Sequence, residues 1–370
     1  MSTRIPCVLT REEGTLPTEL QLVSREAVLK IVSRAALGDP AAFLATLKDE
    51  GMLAEALTLD TDYIRIGVKS LNLKTPLRTD IYLRLGPNRF CKRFSSSDGF
   101  DATDLEKDLR AKGIDAFYLH RDQASLLFED HAEVLDDIIN DIDLDPEVAR
   151  EAALVSLEII HDVVGQLGFS SQVMDLAKKT VAITLKAIGA NPKLSDVLAR
   201  LRRHEGKYIA SHSIMLAEIA CAIAHRVAWG DASTFLKLSL AAFLHDLALQ
   251  DNRLARLKTI ADFNTTLDFS SADLNAFKTH PQKAAEYARH LEGIPPDVDT
   301  VVIQHHELPD GSGFPRGLTS QQINPLAAVF IIAHELMHFF LEQVPSNSRT
   351  DMLKVFLLEN RSRYAEAPHR

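Results

Sequence analysis

The chain has 370 residues, 46% of them hydrophobic and 25% charged, the balance of an ordinary soluble globular protein with room for two cores. With 41 Lys and Arg against 51 Asp and Glu, the formal net charge is −10. That argues against a chain-wide electrostatic grip on DNA or an anionic membrane, although a local basic cleft can still hold a phosphate. Cys7, Cys91 and Cys221 are scattered, so neither a disulfide framework nor a cysteine zinc site is implied. A reducing, cytoplasmic compartment is the expectation, and the first fifteen residues lack the apolar run of a signal peptide.

Residues 1–24 show no clear period and predict a poorly ordered start. Two short helical patterns follow, at 25–37 and 40–57, the second with Asp39 as an N-cap candidate and Pro40 at its first position. The period then changes to alternation at 63–68 and 81–85, and again at 89–94 after the turn signal Gly86-Pro87-Asn88. A helix is predicted over 102–112 and a further strand over 116–120, completing a small mixed α/β domain at residues 1–132. It carries no catalytic or ligand motif and reads as a regulatory or sensory module.

Residues 133–370 are almost wholly helical in pattern, so the fold class is mainly α. The acidic stretch at 136–145 is a solvated helix face and turn at the junction. Helices are predicted at 146–167, 171–188, 194–202, 208–227, 232–249, 271–291, 296–306, 325–342 and 349–360, with a Gly/Pro-rich loop at 308–319. The longest apolar run, 325–341, is interrupted by His334, Glu335 and His338, which suits a buried helix better than a membrane span.

In this half the histidines fall at unusual places. His212 and His334 interrupt apolar helices, His245-Asp246 closes an apolar run, His280 precedes Pro281, and His305-His306 ends a helix. A lone histidine on an apolar face is usually a satisfied core residue. A buried carboxylate among several imidazoles is different, because its desolvation costs several kcal/mol unless a cation offsets it. A divalent metal favours a deprotonated carboxylate and neutral imidazole lone pairs, so the set points to metal.

The order His212 … His245-Asp246 resembles the HD superfamily of metal-dependent phosphohydrolases. The stretch His305-His306-Glu307-Leu308-Pro309-Asp310-Gly311-Ser312-Gly313-Phe314-Pro315 is similar to the HHExxDGxGYP signature of the HD-GYP family, with Phe314 in place of Tyr. His280-Pro281 resembles that family's intervening HP element. The resemblance covers residues 146–370 and implies a helical domain with two divalent ions, iron or manganese, that hydrolyses cyclic di-GMP to linear pGpG or GMP. By position it implies His212, His245 and Asp246 as ligands, with Asp246 the bridge, and His280, His305 and His306 as ligands of the second ion. His245 and Asp246 are the implied catalytic residues. Two ions sharing a carboxylate activate water and stabilise the leaving oxygen, and a nitrogen-rich ligand set suits iron, manganese or zinc. Gly311 and Gly313 are expected to give the loop positive φ, and Pro315 to stiffen its exit.

Two departures mark a divergent member. The family's HDxGK lysine is Leu249 here, and His334 stands where a last Asp ligand belongs. The basic residues expected beyond it fall at Gln343 and Ser346, which leaves Arg316 and Arg349 as candidates for phosphate contact. Each lost charge-assisted contact is worth roughly 1.5–3 kcal/mol. The alternative to an enzyme is therefore a degenerate receptor or docking module that binds nucleotide, or a protein partner through the loop from Gly311 to Pro315. A competing pattern is His334-Glu335-Leu336-Met337-His338, a literal H-E-x-x-H with Glu359 as a candidate third zinc ligand. It leaves His245-Asp246, His280 and the long signature unexplained, and in the HD-GYP reading His338 is a packed or surface helix residue.

Overall fold

The computed structural model describes residues 7–11, 28–33, 62–71, 77–87, 89–98, 102–168, 170–189, 192–200, 208–265, 269–342 and 349–360. Alternation at the front of the chain produces strands. β1 (Cys7–Arg11) pairs in parallel with β2 (Val28–Ser33). β1 lies within the stretch 1–24, the rest of which is outside the described residues, and β2 falls where a helix was predicted over 25–37. The reason is local: Val28, Ile31 and Val32 are β-branched and prefer a pleated strand. The helix predicted over 40–57 lies outside the described residues.

β3 (Tyr63–Gly67), β4 (Ile81–Gly86), β5 (Arg89–Phe94) and β6 (Ala116–His120) form an antiparallel sheet in the order β3-β6-β4-β5. Register pairs Tyr63 with His120 and Gly67 with Ala116. The side chains of Ile64, Ile66, Phe117 and Leu119 are buried in the core. On Tyr63, Tyr82, Phe90 and Tyr118 the rings pack together, Tyr63 stacking on Phe90 at 4.0 Å.

Helices α1 (Ala102–Ala111), α2 (Ala124–Asn140), α3 (Pro146–Leu167), α4 (Ser171–Ile188) and α5 (Leu194–Arg200) follow. The remaining helices are α6 (Tyr208–Arg226), α7 (Ala232–Leu244), α8 (Ile260–Thr265), α9 (Ser271–His290), α10 (Val298–Gln304), α11 (Pro325–Glu342) and α12 (Arg349–Glu359). Their starts are written in the sequence. Asp145 accepts from the Glu147 amide at 2.9 Å with Pro146 at the first position, Ser170 accepts from Val173, and Ser270 with Asp273 forms a capping box. Gly168 and Gly189 take φ of +75° and +71° at the ends of α3 and α4.

The chain is mainly α, and one continuous hydrophobic core runs from the sheet into the helices. α2 crosses residues 132–133 without a break and packs on α4. Edge strand β3 is covered by α3: Gln166 accepts from the Arg65 amide at 2.8 Å and donates to its carbonyl at 2.9 Å, while Asp162 accepts from Gly67 at 3.0 Å. The exposed edge that a strand would otherwise offer is thus satisfied by side chains. α6 is long and apolar enough to cross a membrane, but 83% of that segment is buried inside the fold. It packs against α7 and α11, and α10 packs on α7, α9 and α11.

Candidate metal centre

α6, the end of α7, α9, the end of α10 and α11 each bring imidazoles to one place. His212, His245, Asp246, His280, His305, His306 and His334 are all buried. They fall into two groups whose donor atoms lie within 4.8 Å of one another: Asp246 with His280, His305 and His306, and His212 with His245 and His334. Asp246 joins the groups through different oxygens. Its Oδ2 lies 3.2 Å from His245 Nε2 and 3.6 Å from His212 Nε2, while its Oδ1 lies 3.3 Å from His280 Nε2 and 3.9 Å from His305 Nε2.

The rings are turned by breaks in the helical hydrogen-bond ladder. α7 and α10 end at Leu244 and Gln304, so the carbonyls of Ala242 and Val302 sit in last turns that lack intrahelical donors. His245 Nδ1–H donates to Ala242 O at 2.9 Å and His305 Nδ1–H to Val302 O at 2.6 Å. In α9 the same opening comes from Pro281, which has no N–H to give the Phe277 carbonyl four residues back. His280 Nδ1–H takes that carbonyl at 2.6 Å. His306 Nδ1–H donates to Lys258 O at 3.0 Å. Each bond fixes the tautomer, leaving the Nε2 lone pair for the pocket.

These residues fit a pair of metal ions. With both Nδ1 protons committed to carbonyls, the Nε2 lone pairs of His280 and His305 face each other at 3.1 Å, which calls for a cation between them. His212 and His245 approach at 2.8 Å through the same atoms. Metal–imidazole bonds of about 2.0–2.1 Å place neighbouring donors on one ion about 3.0–3.4 Å apart. Asp246 Oδ2 is buried and makes no hydrogen bond, an acceptor waiting for positive charge. Burial alone raises the Asp246 pKa, but His245 and His280 outweigh it and hold the carboxyl well below the usual carboxylate range. Burial, reinforced by neighbouring imidazoles, pushes His212, His305, His306 and His334 well below the ordinary histidine value, so these four rings stay neutral.

The signature loop is fastened from below. Glu307 is fully buried, and its two oxygens accept from the amides of Arg316 and Leu318 at 2.7 Å each. Phe314 stacks on His306 with centroids 4.5 Å apart, and the Phe314–Pro315 peptide is cis. Gly311 has φ of +80°, as expected. Gly313 does not have positive φ. A Cβ there would lie 2.2 Å from the Leu308 nitrogen, so close approach of the backbone is what requires glycine.

Sequence reasoning missed three contributors. Glu307 as the loop anchor had no separate signal beyond the signature. His161 donates from Nε2 to Leu249 O at 2.7 Å, tying α3 to the turn after Asp246. His338 is buried beside His334 with Nε2 atoms 3.2 Å apart, and the four-residue spacing on one helix was its available signal. The H-E-x-x-H pattern does not assemble its own site, because His334 groups with His212 and His245 while Glu359 is exposed. Leu249 is buried in an apolar cluster with Ile209, Leu254, Leu257, Phe263 and Phe277. Arg316 is exposed at the end of the loop, and the side chain of Arg349 lies outside the described residues. His204 and His369 also lie outside them.

Two three-imidazole groups on helices, sharing one buried aspartate, define a metal-site domain of the HD type. A profile of the HD domain family matches residues 190–350. Over 181 residues the chain is 27% identical to the cyclic di-GMP phosphodiesterase PA4108 of Pseudomonas aeruginosa, covering 48% of this chain and 40% of that protein. The match therefore spans less than half of that relative. Among solved structures, Bd1817, an HDG"Y"P protein from Bdellovibrio bacteriovorus, shares the fold with a TM-score of 0.55 at 20% identity, over 81% of this chain and 94% of that one. Residues 190–350 thus match the HD domain family, and the chain is similar in sequence to a cyclic di-GMP phosphodiesterase and in fold to an HDG"Y"P protein.

Proposed function

We propose that this protein is a cyclic di-GMP phosphodiesterase that yields linear pGpG or GMP, with two iron or manganese ions held by His212, His245 and His334 on one side and His280, His305 and His306 on the other. The observation that carries the reading is the division of Asp246, one oxygen toward each imidazole group. Two divalent ions so placed supply the activation of water and the neutralisation of charge that in-line displacement at phosphorus needs. His245 and Asp246 are the proposed catalytic pair, since Asp246 Oδ2 lies 3.2 Å from His245 Nε2 where the two imidazole groups meet. The backbone bonds at Nδ1 hold the rings in the geometry the reaction uses, so little reorganisation remains for the transition state. Arg316, and Arg349 at the start of α12, are the candidates to meet the substrate phosphates. Residues 1–132 act as a regulatory or sensory module, with α3 the route by which the sheet and the Asp246 turn touch.

Protein purified anaerobically and loaded with iron(II) or manganese(II) is expected to linearise cyclic di-GMP. No turnover with either metal contradicts the proposal. The buried Leu249 favours a second reading, in which the domain binds nucleotide, or a protein partner through the loop from Gly311 to Pro315, without turnover. Calorimetry that shows cyclic-dinucleotide binding by a metal-loaded but inactive protein selects the receptor form of that reading.

A further inference from the structure

His338 shares the arrangement of the ligand histidines without belonging to their set. His245, His280, His305 and His306 each place an oxygen at Nδ1 and turn Nε2 into the pocket. In His338 the Tyr208 hydroxyl lies 3.3 Å from Nδ1, and Nε2 lies 3.2 Å from His334 Nε2. That separation matches the 3.1 Å between the Nε2 atoms of His280 and His305. The ring is buried, its centroid 4.5 Å from that of His334 and 5.0 Å from that of His212, as near as His212 and His245 are to each other at 4.9 Å. Residues 334 and 338 are one helical turn apart on α11, so both imidazoles project from the same face.

We infer that His338 is an additional metal ligand on the His212 side of the centre, sharing an ion with His334. The inference rests on the metal-centre reading above. It gives the centre an inequality: the His212 side offers four imidazoles and the other side three, with one aspartate oxygen toward each. His334 brings no charge where a carboxylate would, and His338 restores a donor without restoring the charge. An imidazole-rich site of this kind selects iron, cobalt or zinc over magnesium and calcium. Tyr208 acts as a positioning residue, its hydroxyl accepting from Nδ1–H so that Nε2 keeps its lone pair.

The rival role for His338 is a plain hydrogen bond, Nε2–H to His334 Nε2, which would orient His334 from outside. Magnitude and rescue separate the two. Loss of an outer hydrogen-bond partner lowers metal affinity by roughly 10–100-fold, and loss of a ligand lowers it further. Glutamine at 338 can still donate an N–H to His334 but is a poor ligand for these metals. Cobalt(II) chloride is titrated into the metal-free full-length protein, wild type, His338→Gln, His338→Leu and Tyr208→Phe, following stoichiometry, affinity and the visible cobalt bands. Thermal unfolding in chelator checks that each variant is folded. The expected result is two equivalents in wild type, one equivalent weakened by more than about 100-fold with altered bands in both His338 variants, and a loss of about tenfold in Tyr208→Phe. His338→Gln with two wild-type equivalents and unchanged bands overturns the ligand assignment while leaving the centre intact. Wild type that takes up no cobalt overturns the metal-centre reading and this inference together.

Discussion

On the signature side of the centre, His280, His305 and His306 each commit Nδ1 to a backbone carbonyl, and Glu307 fastens the loop that stacks Phe314 on His306. On the other side His212 Nδ1 is buried without a hydrogen bond, and the contact at His334 is another imidazole, His338. The first group is oriented by the backbone and is in place before any ion arrives. The second is oriented partly by its own members, so its geometry depends on what they bind. His334, standing where the HD-GYP pattern has an aspartate, falls on that second side, whereas Phe314, in place of Tyr, falls on the first.

The largest expected effect comes from removing a scaffolded ligand. His305→Ala should lose the ion of the signature side, read as a fall from two metals to one by elemental analysis, with the His212 side retained. Full retention of metal would show that the signature histidines are core residues. Next is Leu249→Lys. It restores the family's charge but buries an ammonium in an apolar cluster, at a cost of about 3 kcal/mol in unfolding free energy. Denaturant unfolding at wild-type stability would mean that the side chain has an exit to solvent.

His131 sharpens the comparison from outside the centre, since it is a buried histidine with no imidazole partners. Burial lowers its pKa to about 3, with a bond to the Ser70 backbone working the other way. The folded state therefore keeps it neutral, while the unfolded chain takes up a proton as pH falls below about 6.5. Its contribution to stability is intact above that value and is lost progressively down to about 3. At about 1.4 kcal/mol per pH unit, the step from pH 6.5 to 5 costs about 2 kcal/mol. His131→Leu should flatten this part of the stability–pH curve; an unchanged slope places the titration elsewhere.

The smallest effect has opposite signs in two measurements. Pro281→Ala supplies an N–H that competes for the Phe277 carbonyl and so loosens His280, weakening metal binding by about tenfold. The same change removes a proline from the helix interior and should leave the metal-free protein as stable or more so. Unchanged affinity would mean that His280 does not depend on that carbonyl.

Much of this was legible in the residues. The limits of α3 and α4 follow from Asp145-Pro146, Ser170 and the glycines after Leu167 and Ile188, because capping chemistry is local. The convergence of the seven candidate positions was legible because His245-Asp246 and the run from His305 to Pro315 are compact motifs to which the other histidines could be matched in order. β2 was not, since a short run of apolar residues fits a helix and a strand equally until a partner strand decides. α7 was read through to Leu249 and stops at Leu244, where the chain leaves the helix to turn His245 and Asp246 inward. The role of Pro281 was hidden because it depends on a carbonyl freed in three dimensions. His338 is harder to read, because its spacing to His334 fits a different motif and only packing shows which partners it shares.

The shared aspartate is tested most directly by counting metal in anaerobically purified Asp246→Asn beside the wild type. A shared aspartate predicts two ions per chain in the parent and loss of both in the variant, because each group loses its one anionic oxygen. An asparagine variant that keeps two ions, or a parent that never holds more than one, contradicts it.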